Sequence, residues 1–490
     1  MANRWPIASG NWSDSAIWSG SIKPTAADDV YANNQTVYVD ENITVLTLRN
    51  ASISGVTLGG AFYINNAITA SITAANGLIS QIASTPLVYV TGSANARINS
   101  TMNTTTGIKI RMQDSATLTV SGTLNGGDTT NAYSVLHVST GNLFITGNLT
   151  CGSNLNMPAV YMSESGGTYI LGNVNGNVGH CFENIGSGEI VVNGNITAGG
   201  FGNGRGIINS GTGNITVYGN LTGNANTPIS NTGTGNIFVS GTILGAGAGS
   251  PGISNTSTGN ITVVGVISGS TAVSNPNPGI SNTSTGTIQV TGSVVGARAA
   301  GITTTGDLYV TGSVYGGVAA AGISTTSART YIIKGPIYAG SGSNGVSSTS
   351  TTATNFFTGP FYNTGSFNAV YAYRMQMLST SSQWTFNTET AGVTKTLYTS
   401  NTLPGVPREN NVRRGITYNF GLTGSLAMPD PTTVKTGVAT DNTTGSAILT
   451  AEDMFDVATQ TLTNSGSIGN LLTGASTVQT TGATISSFKV

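Results

Sequence analysis

Between residues 122 and 359 one glycine recurs at the end of an alternating apolar phrase: Gly122, Gly147, Gly172, Gly194, Gly219, Gly241, Gly265, Gly292, Gly312, Gly335 and Gly359. The mean interval is about 24 residues, inside the range that marks stacked repeat architectures. No other feature of the chain restricts its fold so tightly. The phrase before each glycine alternates, as in Ile215-Thr216-Val217, Ile237-Phe238-Val239 and Leu308-Tyr309-Val310. Period-two alternation predicts a strand with one buried face. A second short strand is predicted just after the glycine (Asn220-Leu221-Thr222, Ser293-Val294-Val295), and a third further on (Gly252-Ile253-Ser254, Gly279-Ile280-Ser281).

Three short strands per interval, with no helical period, predict an all-β chain. Its form is a right-handed parallel β-helix with three strands per coil. Each coil is too small to bury its own Ile, Val and Leu and does so against its neighbours. Glycine at the corners is expected to supply positive φ. Asn214, Asn236 and Asn260, each after a glycine, are expected to form a hydrogen-bonded ladder. Loop length varies between the second and third strands, which places variable loops along one edge. The residues inserted there, Ala246, Ser250 and Pro251 and then Asn275, Pro276 and Asn277, are the candidate contact loops.

Composition narrows function. Only 7% of residues are charged, 68 are glycine and 38% are hydrophobic, so the surface is solvated by Ser, Thr, Asn and backbone. A net charge of −1 argues against nucleic-acid binding. No run of 18 apolar residues exists, so no membrane insertion by a helix is expected. The opening MANRWPIASGNW lacks the apolar core of a secretory signal.

No cofactor, metal or catalytic site is expected. Between residues 141 and 360 the acids are Glu164, Glu183, Glu189 and Asp307, and only Glu183 and Glu189, with His180 nearby, could form a cluster. Glu189 opens a strand phrase where other coils carry Asn or Thr, so it reads as a substituted surface position, and the chain does not read as an enzyme. Cys151 and Cys181 could pair, but they fall at inequivalent points of the repeat; stacking would not align them, and two small buried thiols are the expectation.

The ends depart from the refrain. The N-terminal pattern places Trp12, Ser13, Asp14, Trp18 and Gly20 before Pro24, Asp28, Asp29 and Val30, and then Thr36, Val37, Val39 and Asp40. It resembles the start of many extracellular and virion β-helix proteins. Physically it is an end cap, with Trp12 and Trp18 covering the apolar ladders of an open solenoid. In the C-terminal part a tandem unit recurs at a 22-residue offset, Pro407 to Ile416 against Pro429 to Val438, each followed by Thr-Gly-Ser. With the closing Ser476 to Ala483 it resembles a module near the C-termini of tail fibres and other virion proteins of tailed bacteriophages.

That resemblance implies a virion structural protein, either a tail fibre or spike that contacts the host surface or a capsid-decoration or head-fibre protein. A glycan-degrading tailspike is the third expectation. By analogy with the architecture it implies a homotrimer located in the virion, with other virion proteins and a host cell-surface glycan as partners. The expected organisation is a cap or attachment segment over 1–24, the β-helix over 25–373 and a β transition over 374–403. The tandem module follows over 404–450 and a docking segment over 451–490, where Phe455, Leu462, Leu471 and Leu472 form an apolar stripe in need of a partner.

Overall fold

The computed structural model describes residues 2–350 except 55–58, 67, 83–84, 105–108, 127–132, 154–156, 201–203, 246–249, 328, 339 and 341–342. Beyond these it describes the strands Thr354–Phe357, Phe361–Tyr362, Val370–Ala372, Arg374–Leu378, Thr394–Tyr398, Thr417–Tyr418 and Leu422–Thr423. Two units separate, residues 1–398 and residues 399–490. In the second, Thr417–Tyr418 pairs antiparallel with Leu422–Thr423. The tandem module and the stripe Phe455, Leu462, Leu471 and Leu472 otherwise lie outside the described residues.

The first unit is a parallel β-helix. Its strands sort into three sheets of 16 strands, and each coil gives one strand to each sheet. The first-strand face holds Ile215–Val217 and Ile237–Ser240, the second-strand face Leu221–Thr222 and Ile243–Leu244, and the third-strand face Ile229–Asn231 and Ile253–Asn255. Residues pair in register along the axis, so like stacks on like. Ile190, Ile215, Ile237, Ile261 and Ile288 form one interior column, and Ile207, Ile229, Ile253, Ile280 and Ile302 another. All are essentially inaccessible to solvent. Each such side chain contributes roughly 1.5 to 3 kcal/mol by burial.

Parallel pairing begins at the N-terminus: Asn3–Arg4 pairs with Asp29–Val30, and Gly10–Asn11 with Val37–Tyr38. Trp12 and Trp18 meet edge to face at 4.7 Å between centroids, and the Trp18 indole donates to the Trp12 carbonyl at 3.0 Å. Both indoles are buried in the core. The polar residues of the opening pattern fasten this end: the Asp40 carboxylate accepts from the Ser13 backbone and hydroxyl, and Asp14 caps a turn through the Ala16 amide. Burial would raise the Asp28 pKa, but hydrogen bonds from Thr25 and Ala2, with Arg4 nearby, hold it below the usual carboxylate value.

Ladders of polar groups bind coil to coil, on the exterior and in the interior. One exterior ladder is the one expected from sequence: the Asn214 side chain accepts from the Asn236 amide, Asn236 from Asn260, and Asn260 from Thr287, each at 2.9 Å. Another runs from Asn148 through Asn173, Asn195 and Asn220 to Thr242 at 2.8–2.9 Å. The interior one is not visible in composition. Asn184, Asn209, Asn231, Asn255 and Asn282 are buried, and each side-chain amide donates to the next in line at 2.8–2.9 Å until Asn282 reaches the Thr304 hydroxyl at 3.2 Å. The second hydrogen of each amide satisfies a glycine carbonyl four residues on, as from Asn231 to Gly235 at 2.9 Å. A buried carbonyl left without a donor would cost about 1 to 3 kcal/mol.

The refrain glycines owe their identity to a different cause than expected. Of those in the described part, only Gly122, Gly265 and Gly292 have positive φ. What the others share is close approach. A Cβ on Gly241 would fall on the carbonyl oxygen of Gly219, one coil earlier, and one on Gly235 would fall on that of Gly213. Backbone packed this closely admits no side chain.

The cysteines correct the sequence reading: Cys151 and Cys181 form a disulfide, with Cα atoms 4.6 Å apart. Stacking of equivalent positions was the wrong criterion. Cys151 follows the second strand Leu149–Thr150, and Cys181 precedes the third strand Phe182–Asn184 of the next coil. They face each other across one corner. Closing a loop of 30 residues contributes about 3 to 4 kcal/mol. Reduction, or Cys151→Ser, is expected to lower the thermal midpoint measured by circular dichroism; an unchanged midpoint would show that the bridge does not hold this corner.

His137 stands in the interior column that Asn184 continues, with Met162 between them. It copies the asparagine contact, its Nε2 lying 2.8 Å from the carbonyl of Gly141, four residues on. Burial lowers its pKa below the ordinary 6.5, and burial with the nearby Arg205 charge lowers that of His180 to about 4. For both, the unfolded chain takes up a proton that the folded chain resists. Their stability contribution is complete above about pH 6.5 and is lost as pH falls. The thermal midpoint should therefore drop between about pH 7.5 and about pH 5, and His137→Asn should fold and lose part of that drop. A variant with the full wild-type pH dependence would contradict this assignment.

Candidate functional site

The edge between second and third strands carries the loops of variable length, so it borders the outer surface of the third-strand face. Ser250 and Pro251 lie there, half-buried, just before Ile253–Asn255; Ala246 lies outside the described residues. Asn275 and Pro276 are exposed, and Asn277 is half-buried. Asn277 is tied down: its carbonyl accepts from the Ser270 amide at 2.7 Å, and its side chain donates to the Asn275 carbonyl at 2.8 Å. The structure thus puts both loops on one edge, with Val273 at 74% exposure on the longer one.

The outward column of the third-strand face divides into two chemistries. From the N-terminal end it reads Tyr38, Tyr63, Tyr89, Arg111, Leu136, Tyr161, Glu183 and Ile208, in register. It then continues as Ser230, Ser254, Ser281, Thr303, Ser324 and Ser347. The second half shows that serine satisfies this position of the fold. The tyrosines, arginine and glutamate of the first half are therefore more than the coil needs.

Their geometry is ordered. The rings of Tyr63 and Tyr89 are stacked at 4.3 Å and 4° between planes, and Tyr38 leans on Tyr63 at 6.0 Å. Burial and the neighbouring phenols Tyr89 and Tyr38 push the Tyr63 pKa up to about 12, partly opposed by Arg111. Farther along, Tyr133 meets Tyr161 at 5.5 Å. Burial raises the pKa of both, and the Glu183 carboxylate adds to it. Burial raises that of Glu183 as well. The patch offers phenol hydroxyls, a guanidinium and a carboxyl group, which suits hydrogen bonding and ring contact with a hydroxylated partner.

Glu183 and Glu189 do not come together as a pair on one surface. Glu183 belongs to the third-strand face, whereas Glu189 immediately precedes Ile190–Val192 on the first-strand face. There Glu189 accepts a 2.6 Å hydrogen bond from the Tyr169 hydroxyl, which pushes that phenol up to about 12. His180 and Arg205 are consecutive along the loop edge, the Arg205 amide lying 3.3 Å from His180 Nδ1 and its guanidinium 3.1 Å from the Ser230 hydroxyl. The tyrosine column was missed in sequence because its members sit one per coil and spell no local motif.

No family model matches the chain, and comparison with curated proteins and with solved structures finds no match either. The class that the fold defines is the parallel β-helix proteins.

The raised Glu183 pKa has a measurable sign. A carboxyl that binds its proton more readily folded than unfolded lowers stability at pH values above its folded pKa, and this penalty fades as pH falls. Glu183→Gln is expected to raise the thermal midpoint slightly at about pH 7.5 and to match wild type near about pH 4. A lower midpoint in the variant at neutral pH would instead make Glu183 a stabilising partner.

Proposed function

We propose that this protein is a structural component of a bacteriophage virion, a homotrimeric tail fibre or spike whose β-helical shaft presents a contact face to the host cell surface. The single observation that carries the contact role is the two-part third-strand face. Tyrosines, Arg111 and Glu183 occupy outward positions where the same fold accepts serine from the second coil after Glu183 onward. The virion assignment draws on the resemblance of both ends of the chain to phage structural proteins. A shaft with few ionisable groups, held by backbone and amide ladders, suits a particle that must survive outside a cell.

A second reading, capsid decoration, is favoured by the uniform serine half of the same face, which has the bland surface of a purely mechanical part. The two readings separate by location and copy number. Gold-labelled antibody on intact virions is expected to mark the tail, with tens of copies per particle by quantitative gel densitometry. Labelling at regular points of the capsid with hundreds of copies would overturn the fibre reading and favour decoration.

A further inference from the structure

The serine half of the third-strand face carries a depression of its own. Its cavity volume is about 400 Å³, within the range of roughly 300 to 1,000 Å³ typical of small-molecule sites. Thr303, Ser324 and Ser347 form the floor, one per coil and in register, so that their hydroxyls repeat at the inter-strand spacing of about 4.8 Å. The wall comes from the loop edge, where Ala300, Ala320 and Asn344 stand. Among the described residues, no charged group lines it.

The wall is stitched in place. The Ser343 hydroxyl, itself buried, donates to the Gly317 carbonyl at 2.7 Å and also contacts the carbonyl of Ala320. The Val318 amide reaches back to the Ala297 carbonyl at 2.8 Å, so three successive loops are joined. Ala319 is held at φ 64°, a left-handed conformation that a side chain resists, on the lining of the cavity. Among the described residues, the hydroxyls of Thr303, Ser324 and Ser347 and the side-chain amide of Asn344 are taken up by no other protein group.

We propose that this depression binds a short neutral oligosaccharide. The inference rests on the reading of the protein as a surface-contacting fibre and names the ligand class for one part of it. Uncharged donors and acceptors at regular spacing match the hydroxyl edge of successive sugar rings. The alanine methyls match the C–H faces of those rings. An acidic sugar would find no cation among the lining residues, and an apolar ligand would strand the four polar groups.

The test uses the purified full chain and saturation-transfer NMR with maltotriose, cellotriose and chitotriose, and with trigalacturonic acid as the charged counterpart. At least one neutral trisaccharide is expected to receive saturation, and trigalacturonic acid none. Ser324→Trp, which fills the cavity, is expected to weaken binding about tenfold or more, a loss of about 1.4 kcal/mol. Ser254→Trp, in the same column but outside the cavity, is expected to leave binding unchanged. Asn344→Ala, a loop change that spares the sheet, is expected to weaken binding several-fold and serves if the tryptophan variant fails to fold. Absence of transfer from every neutral sugar, stronger transfer to the acid, or equal binding by wild type and Asn344→Ala would each overturn the proposal. The measurement involves no virion, so its failure and a failure of the fibre reading are separate results.

Discussion

Everything in this protein depends on how closely one coil can approach the next. Strand pairing sets the axial spacing, and at that spacing parts of the backbone meet with no room for a Cβ. Glycine is therefore required at Gly219 and Gly241, or at Gly213 and Gly235, because the carbonyl of one coil occupies the place where the next coil's side chain would begin. Once those contacts are fixed, the register follows. Isoleucine stacks on isoleucine and asparagine on asparagine, and a slip by one residue would move a whole apolar column to the surface.

The interior asparagines show how the same constraint handles polar groups. A buried amide in an apolar core is costly unless each hydrogen has an acceptor. Here a single side chain meets both demands, one hydrogen going along the axis and one to the turn that leads out of the strand. Repetition makes this cheap to specify, since each coil supplies the acceptor for the coil before it. His137 shows the tolerance of the arrangement: a different side chain makes the turn contact, at the cost of a group that acid can charge.

Much of the fold was legible in the sequence because period-two alternation and a recurring glycine are direct imprints of strand and close contact. The three strands per coil, the loop edge and the Asn214–Asn236–Asn260 ladder could all be read in this way. Pairing of Cys151 with Cys181 could not, since the repeat describes neighbours along a column and the bridge crosses a corner between columns. The buried asparagines leave a trace, an Asn four residues before a glycine in ISNTGTG and ISNTSTG, but burial of a polar residue runs against the alternation rule used to find strands. The outward column of tyrosines was least legible. Tyr63, Tyr89 and Arg111 are more than twenty residues apart in sequence, and only the stacking of coils makes them neighbours.

The interior asparagine ladder has a mechanical consequence. Its bonds run parallel to the shaft, so a pull along the axis loads them directly, together with the sheet bonds of the same joint. Coils are linked in series, and a rod of that kind parts at its weakest joint. From Asn184 to Asn282 every joint has an amide-to-amide bond through its centre; at Thr304 a single hydroxyl takes over. Among the described residues, the ladder thus reinforces the stretch from Asn184 to Asn282, while the joints between His137, Met162 and Asn184, like those beyond Thr304, carry a pull on their sheet bonds with no amide-to-amide bond beside them.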